Sequence, residues 1–203
     1  MKKLSTALVL SLALVGAANA GIEPYAGIKL GYAFTSETDR YSAPGYKELK
    51  EKIDQKDTFG GSLEIGAKIS EYFRLGFERN QWLKFKDELD GEWTTTSWML
   101  NIYAERQIKE SAFYGIATGG LGVGAVTAKW GSNEEEKTGL AVAFGLGVAY
   151  RISDDIMLDL MWRYSRNPSI TGATTNFSPN PPTANYSYES SRNEVLLGAR
   201  YMF

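Results

Sequence analysis

Phe59-Gly-Gly-Ser-Leu-Glu-Ile-Gly-Ala-Lys-Ile69 switches between apolar and polar or small residues at every step from Gly61 onward. In an extended chain successive side chains leave opposite faces. Gly61, Leu63, Ile65, Ala67 and Ile69 therefore share one face, and Ser62, Glu64, Gly66 and Lys68 share the other. The run has the length that a tilted strand needs to cross a bilayer, roughly 9–11 residues. One face suits hydrocarbon and the other a polar interior.

The pattern recurs on both sides of that stretch. Upstream, Tyr25 to Phe34 sets Ala26, Ile28, Leu30, Tyr32 and Phe34 against Gly27, Lys29 and Gly31. Downstream, a third segment from Tyr72 opposes Phe73, Leu75 and Phe77 to Arg74, Gly76 and Glu78, and a fourth, Trp93 to Arg106, opposes Trp98, Leu100, Ile102 and Ala104 to Asn101, Tyr103 and Glu105. The fifth, Ala112 to Ala128, is rich in Gly and its register stays open. The sixth, Thr138 to Ile152, alternates Phe144, Leu146, Val148 and Tyr150 with Gly145, Gly147, Ala149 and Arg151. In the seventh, Ile156 to Tyr164, Leu158, Leu160, Trp162 and Tyr164 oppose Asp159 and Arg163. The eighth, Arg192 to Phe203, opposes Val195, Leu197, Ala199, Tyr201 and Phe203 to Glu194, Gly198 and Arg200.

Backbone groups in hydrocarbon find no water, so strands cross a membrane only as a closed sheet. An even number of segments permits antiparallel closure, and the expected fold is all-β: an eight-stranded, up-and-down, antiparallel transmembrane barrel. Ser70-Glu71, Gln107 to Ser111 and Ser153 to Asp155 are short connectors, whereas Thr35 to Thr58, Lys84 to Gly91, Lys129 to Lys137 and Asn167 to Ser191 are long. That alternation matches short periplasmic turns and longer surface loops, with both termini in the periplasm. Two other readings stay open. Ala112 to Ala128 lacks charge and could form a helix, although each of its glycines weakens one by about 1 kcal/mol. A secreted β-sandwich also alternates, but hides its apolar face.

Aromatic rings favour the level where lipid meets water. Trp82, Trp93, Trp98, Trp130 and Trp162 fall towards the loop ends of their segments, and Tyr25, Tyr72, Phe73, Phe113, Tyr114, Tyr201 and Phe203 towards the turn ends. Two aromatic girdles are expected there. On the opposite face, Lys29, Glu64, Lys68, Arg74, Glu78, Glu105, Arg151, Asp159, Arg163, Glu194 and Arg200 are expected to pair and plug the lumen, because an unpaired buried charge is heavily penalised. Reading Glu78 with Glu105 or Asp159 as a catalytic carboxylate pair is the alternative.

The first residues read as an address label. Lys2 and Lys3 precede an apolar run from Leu4 to Val15, and Ala18-Asn19-Ala20 gives a small-x-small cleavage pattern. Residues 1–20 are expected to be a cleaved signal peptide and residues 21–203 one barrel domain. The chain holds no Cys and no His, which removes disulfides, thiolate metal sites, Cys nucleophiles and His-based triads. No cofactor and no metal site are expected. A net charge of −2 shows no concentrated basic face for nucleic acid.

The loops carry the remaining features. In Tyr46 to Asp54, Glu48 and Lys52 are spaced for a helical pair, with Leu49 and Ile53 on one side, which predicts a solvated helical turn or a docking site. Pro168 to Ser187 is uncharged and rich in Thr, Ser, Asn and Pro. Such composition predicts a mobile cover over the barrel mouth or adhesion through Phe177, Tyr186 and Tyr188. Asp87, Glu88, Asp90 and Glu134 to Glu136 read as solvated charge.

Glu194-Val-Leu-Leu-Gly-Ala-Arg-Tyr-Met-Phe203 resembles the C-terminal strand of bacterial outer-membrane proteins, with Tyr201 and Phe203 matching the signal read by the barrel-assembly machinery. Tyr25-Ala-Gly-Ile-Lys-Leu-Gly-Tyr32, Phe144 to Ser153 and Leu158 to Tyr164 resemble the opacity-protein and OmpX/OmpA-like barrels of the porin superfamily. The resemblance implies an outer-membrane location, contact with outer-membrane lipid and lipopolysaccharide, a monomer by default, and either a structural envelope role or adhesion to host or matrix ligands. A lipid-modifying enzyme or a small-solute pore is the alternative. The enzymes known at this barrel size, lipid A deacylases and palmitoyltransferases, depend on a histidine that this chain lacks, so no enzyme is expected.

Overall fold

The computed structural model describes residues 22–42, 49–51, 58–86, 92–130, 133–168, 170–173 and 185–203. Residues 1–20, read as a signal peptide, lie outside them. The described chain is all strand: β1 (Glu23–Ser42), β2 (Leu49–Glu51), β3 (Thr58–Lys68), β4 (Phe73–Lys86), β5 (Glu92–Gln107), β6 (Phe113–Trp130), β7 (Asn133–Arg151), β8 (Ile156–Arg166), β9 (Ile170–Ala173) and β10 (Asn185–Met202). Eight of these, all but β2 and β9, pair with chain neighbours antiparallel, and β10 closes on β1 from Tyr25↔Met202 to Ser42↔Asn185. Closure leaves no backbone edge in the spanning region, as hydrocarbon requires.

The register fixes the tilt. Stepping from partner to partner around the wall leads from Tyr25 through Gly66, Gly76, Asn101, Gly120, Ala143, Ser165 and Arg192 to Thr35. The path returns to β1 ten residues above its start. That stagger is the shear which tilts strands by roughly 35–45° and leaves room inside for side chains only.

Alternation sorts the residues as a membrane demands. Leu30, Leu63, Leu100, Leu121, Leu140 and Leu197 all point outward and stand 61–69% exposed. Glu64, Arg74, Glu78 and Glu194 point inward and are at most 2% exposed. The fifth segment, β6, is a strand and not a helix: Phe113, Leu121 and Val123 face out, Ile116 and Val126 face in. Its glycines meet the walls of β5 and β7, where a helix would carry them at a cost.

The turns at residues 69–72, 108–112 and 152–155 share one device. The hydroxyl oxygens of Ser70, Ser111 and Ser153 accept hydrogen bonds from the backbone N–H groups of Phe73, Phe113 and Ile156 at 3.1–3.2 Å. Serine favours such local bonds over a strand ladder. At the same end the Phe203 N–H donates to the Pro24 carbonyl at 2.9 Å, tying the last residue to the first strand.

The loop end differs from expectation. Segments read as loops continue as strand: β1 runs to Ser42, β7 begins at Asn133 and β10 at Asn185. The expected helical turn around Leu49 is also corrected. Leu49–Glu51 is β2, paired with Asp39–Tyr41, and β9 pairs with Asn185–Tyr188 on the far side, giving a four-stranded extension in the order β2-β1-β10-β9. A protruding strand offers a row of unpaired backbone groups, and pairing with it outweighs a helical ion pair worth roughly 0.2–0.5 kcal/mol. Glu48, Lys52 and Ile53 lie outside the described residues, as do Asp87, Glu88, Asp90 and Phe177. Closure makes a measurable claim: in SDS, unboiled and boiled samples of the folded protein will migrate differently, and equal migration would exclude a closed barrel.

Candidate functional site

The interior is built from the inward residues of six strands. Lys29 comes from β1, Glu64 from β3, Arg74 and Glu78 from β4, Glu105 from β5, Asp159 and Arg163 from β8, and Glu194 and Arg200 from β10. The two remaining spanning strands contribute small residues: Gly120, Gly122 and Gly124 of β6 and Ala141, Gly145, Gly147 and Ala149 of β7. Ile116 and Val126 of β6 also point inward, so the long charged side chains of the other strands find space against a wall of small and apolar side chains.

The charges form one chain of alternating sign. Asp159 lies 3.5 Å from Arg200, which bonds Glu105; Glu105 pairs with Arg74 at 2.8 Å and Arg74 with Glu64 at 2.7 Å. Glu64 in turn holds Lys29, Lys29 lies 3.4 Å from Glu78, Glu78 pairs with Arg163 at 3.0 Å, and Arg163 with Glu194 at 2.6 Å. Each interior member has an opposite charge on either side, which offsets the desolvation that an isolated ion would suffer.

Neutral groups meet part of the remaining hydrogen-bonding capacity. Tyr25 donates its hydroxyl hydrogen to Glu64 and accepts from Arg74 Nη1 at 2.8 Å, while the Arg74 guanidinium stacks 3.6 Å from the Tyr103 ring centre. Asn101 Nδ2 donates to Glu78 at 2.6 Å, Arg163 Nη2 donates to Asn80 Oδ1 at 2.7 Å, and Ser165 Oγ donates to Glu194 at 2.7 Å. Towards the loop end Arg192 reaches Thr95 and lies 5.7 Å from the Trp82 ring, and Trp82, Leu196, Met161 and Ala33 close the lumen with an apolar layer.

Not every residue expected in the network joins it. Lys68 sits at the turn-end mouth with a partner outside the chain of pairs, Glu23 at 3.2 Å, and Arg151 is exposed with its guanidinium 4.9 Å from the Tyr114 ring. Both border a vestibule of about 190 Å³ below Arg74 and Arg200. The outward girdle also needs correction at three places. Tyr25 and Trp82 are 2% and 3% exposed inside the barrel, and Tyr114 packs against the interior cluster. Parity decides this: Tyr25 shares a face with Lys29, and Trp82 with Glu78. Trp98, Trp162, Tyr72, Phe113, Tyr201 and Phe203 do face outward; the side chains of Trp93 and Trp130 lie outside the described residues. Sequence reading missed Arg192, Asn80, Leu196 and Met161 as lumen residues. For the first two, the same parity count would have found them.

The family model described as "Outer membrane protein beta-barrel domain" matches residues 5–203. The chain belongs to that family. Membership implies the bacterial outer membrane as its location. Among solved structures, the outer membrane protein OprG from Pseudomonas aeruginosa is similar at TM-score 0.63 and 15% identity, over 88% of this chain and 95% of that one. Neisserial surface protein A is similar at TM-score 0.57 and 14% identity, over 89% and 97%. The outer membrane protease OmpT from Escherichia coli is similar at 0.54 and 9%, over 89% and 97%. No curated protein sequence matches the chain. These likenesses show the fold, and since one of them is a protease the family's fold alone does not decide for or against catalysis.

The chain of pairs sets an order of sensitivity. Glu78→Ala removes a fully buried carboxylate that serves Lys29, Arg163 and Asn101 at once, and should cost about 3–5 kcal/mol. Lys68→Ala at the half-exposed rim should cost less than about 1 kcal/mol. Urea titrations read by gel mobility or tryptophan fluorescence will separate the two. Gly76→Val should resemble Glu78→Ala, since a Cβ there would lie 2.5 Å from the Tyr25 hydroxyl and 2.6 Å from Glu64 Oε1.

Proposed function

We propose that this barrel is a sealed anchor that displays its loop-end rim outside the cell, contributing to envelope integrity and binding host or matrix ligands. The observation that carries this reading is the alternating chain from Asp159 to Glu194, topped by Trp82 and Leu196. Among the described residues it packs the middle of the lumen with paired side chains, which supports a sealed barrel. Function then falls to the exterior end, where rigid scaffolds commonly present binding residues.

The length of the strands supports the same reading. The 20 residues of β1, at about 3.3 Å each and tilted by roughly 40°, cover far more than the roughly 25 Å apolar band of such barrels. The excess at the loop end is the four-stranded extension. Tyr186 and Tyr188 lie on β10, one of its four strands. Absence of catalysis is part of the proposal, and the lack of His and Cys supports it.

Two measurements test it. Planar-bilayer recordings of the refolded protein should show negligible conductance, and large, stable, reproducible channels would refute the sealed lumen. Bacteria expressing the protein should adhere to epithelial cells or immobilised matrix, and deleting residues 174–184 should reduce adhesion to background while gel mobility stays that of a folded barrel. Unchanged adhesion would remove the loops from the proposal. Incubation with purified lipopolysaccharide should release no fatty acid.

A further inference from the structure

On β4 the side chains that leave the barrel outward are Phe73, Leu75, Phe77, Arg79, Gln81 and Leu83, and every one is exposed. Arg79 breaks the rule of the lipid face. Its register partners are Leu63 and Trp98, both outward. Leu83, four residues farther on, is 61% exposed and continues the apolar surface beyond it, with Phe59 on the neighbouring strand. Arg79 therefore lies about 10 Å nearer the turn end than Leu83 along the barrel axis, taking about 3.3 Å per residue and the tilt above, and level with Trp98. A cation there carries a cost that grows towards the midplane.

The described residues around it supply neutral company. Arg79 Nη2 donates to Gln81 Oε1 at 3.4 Å, and its guanidinium lies 5.4 Å from the Trp98 ring centre. Among the described residues no carboxylate pairs with it. Beside it a groove of about 500 Å³ opens across β1, β3 and β4, walled by Ile28, Leu30, Phe59, Leu63 and Leu83. Its floor is Gly61, which the register sets between Leu30 and Gln81.

We propose that this groove is a specific binding site for the phosphorylated, multiply acylated glycolipid of the outer leaflet. Arg79 meets a phosphate, Gln81 supports the guanidinium, and an acyl chain runs over Gly61 between the aliphatic walls. An intramembrane cation facing lipid is explained by an anion that arrives with the lipid, and a headgroup phosphate is within reach of a side chain that extends towards the interface. The site lies in the loop-side half of the barrel, which faces the leaflet made of that glycolipid, so it commits to this lipid over a glycerophospholipid. The inference rests on the outer-membrane location and is independent of what the loops bind.

Native mass spectrometry of the folded protein in mild detergent tests the site, titrating separately with hexa-acylated lipid A, its dephosphorylated form and phosphatidylglycerol. One lipid A per barrel should be retained, about tenfold more tightly than either comparison lipid. Arg79→Gln should lose about that factor and Arg79→Lys should keep most of the binding, with gel mobility confirming that each is folded. Equal binding of the dephosphorylated glycolipid or of phosphatidylglycerol, or unchanged binding by Arg79→Gln, would overturn the proposal. Should Arg79→Gln fail to fold, the lipid comparison on the unaltered protein decides alone.

Discussion

A charge withdrawn from water must be given a counter-charge, and the barrel interior meets that demand nine times in a row from Asp159 to Glu194. Everything else in the molecule is arranged so that those pairs form. The shear of the wall brings Lys29 of β1 within reach of Glu78 on β4, two strands away, and Arg163 of β8 within reach of the same carboxylate from across the lumen. Breaking one link leaves two neighbours with only one partner each. The interaction is therefore cooperative, and it ties six strands to one another independently of the backbone ladder.

The wall opposite makes this possible. A lumen of eight strands has room for long side chains from part of its circumference only, and β6 and β7 contribute mostly glycine, alanine and apolar groups. Gly120 faces Asn101, and Gly147 faces Met161, in both cases so closely that a Cβ would collide. The Gly-rich segment whose sequence permits a membrane helix is in this light the receiving surface for the charges of its neighbours.

Much of this was legible in the residues. Period-two alternation placed Glu64, Arg74, Glu78, Glu105, Asp159, Arg163, Glu194 and Arg200 on the faces they occupy, because an inward charge and an outward leucine differ too much in transfer free energy to exchange faces. Three aromatic residues were misread for a physical reason. Tyr and Trp serve equally well at an interface and inside a polar core, so Tyr25, Trp82 and Tyr114 followed their strand parity and not their habit. Leu196 and Met161 were hidden inside the uninterrupted apolar runs Val195-Leu196-Leu197 and Leu160-Met161-Trp162, which carry no alternation to read. The extension of β1 and β10, with β2 and β9 beside them, depends on backbone pairing above the membrane, where side-chain polarity gives no signal.

The serine-tied turns and the continuous strands together dictate where such a molecule can change its size. Below, each reversal is fastened by a hydroxyl to a backbone donor two or three residues on, and Phe203 is stitched to the first strand at Pro24. Within the wall, adding or losing a single residue would swap oil for salt along everything beyond it. Above, a hairpin tip can grow by two residues at a time, one per arm, without disturbing the order below. Insertions into this chain thus have a single open direction, outward, at the end farthest from the serine-tied turns.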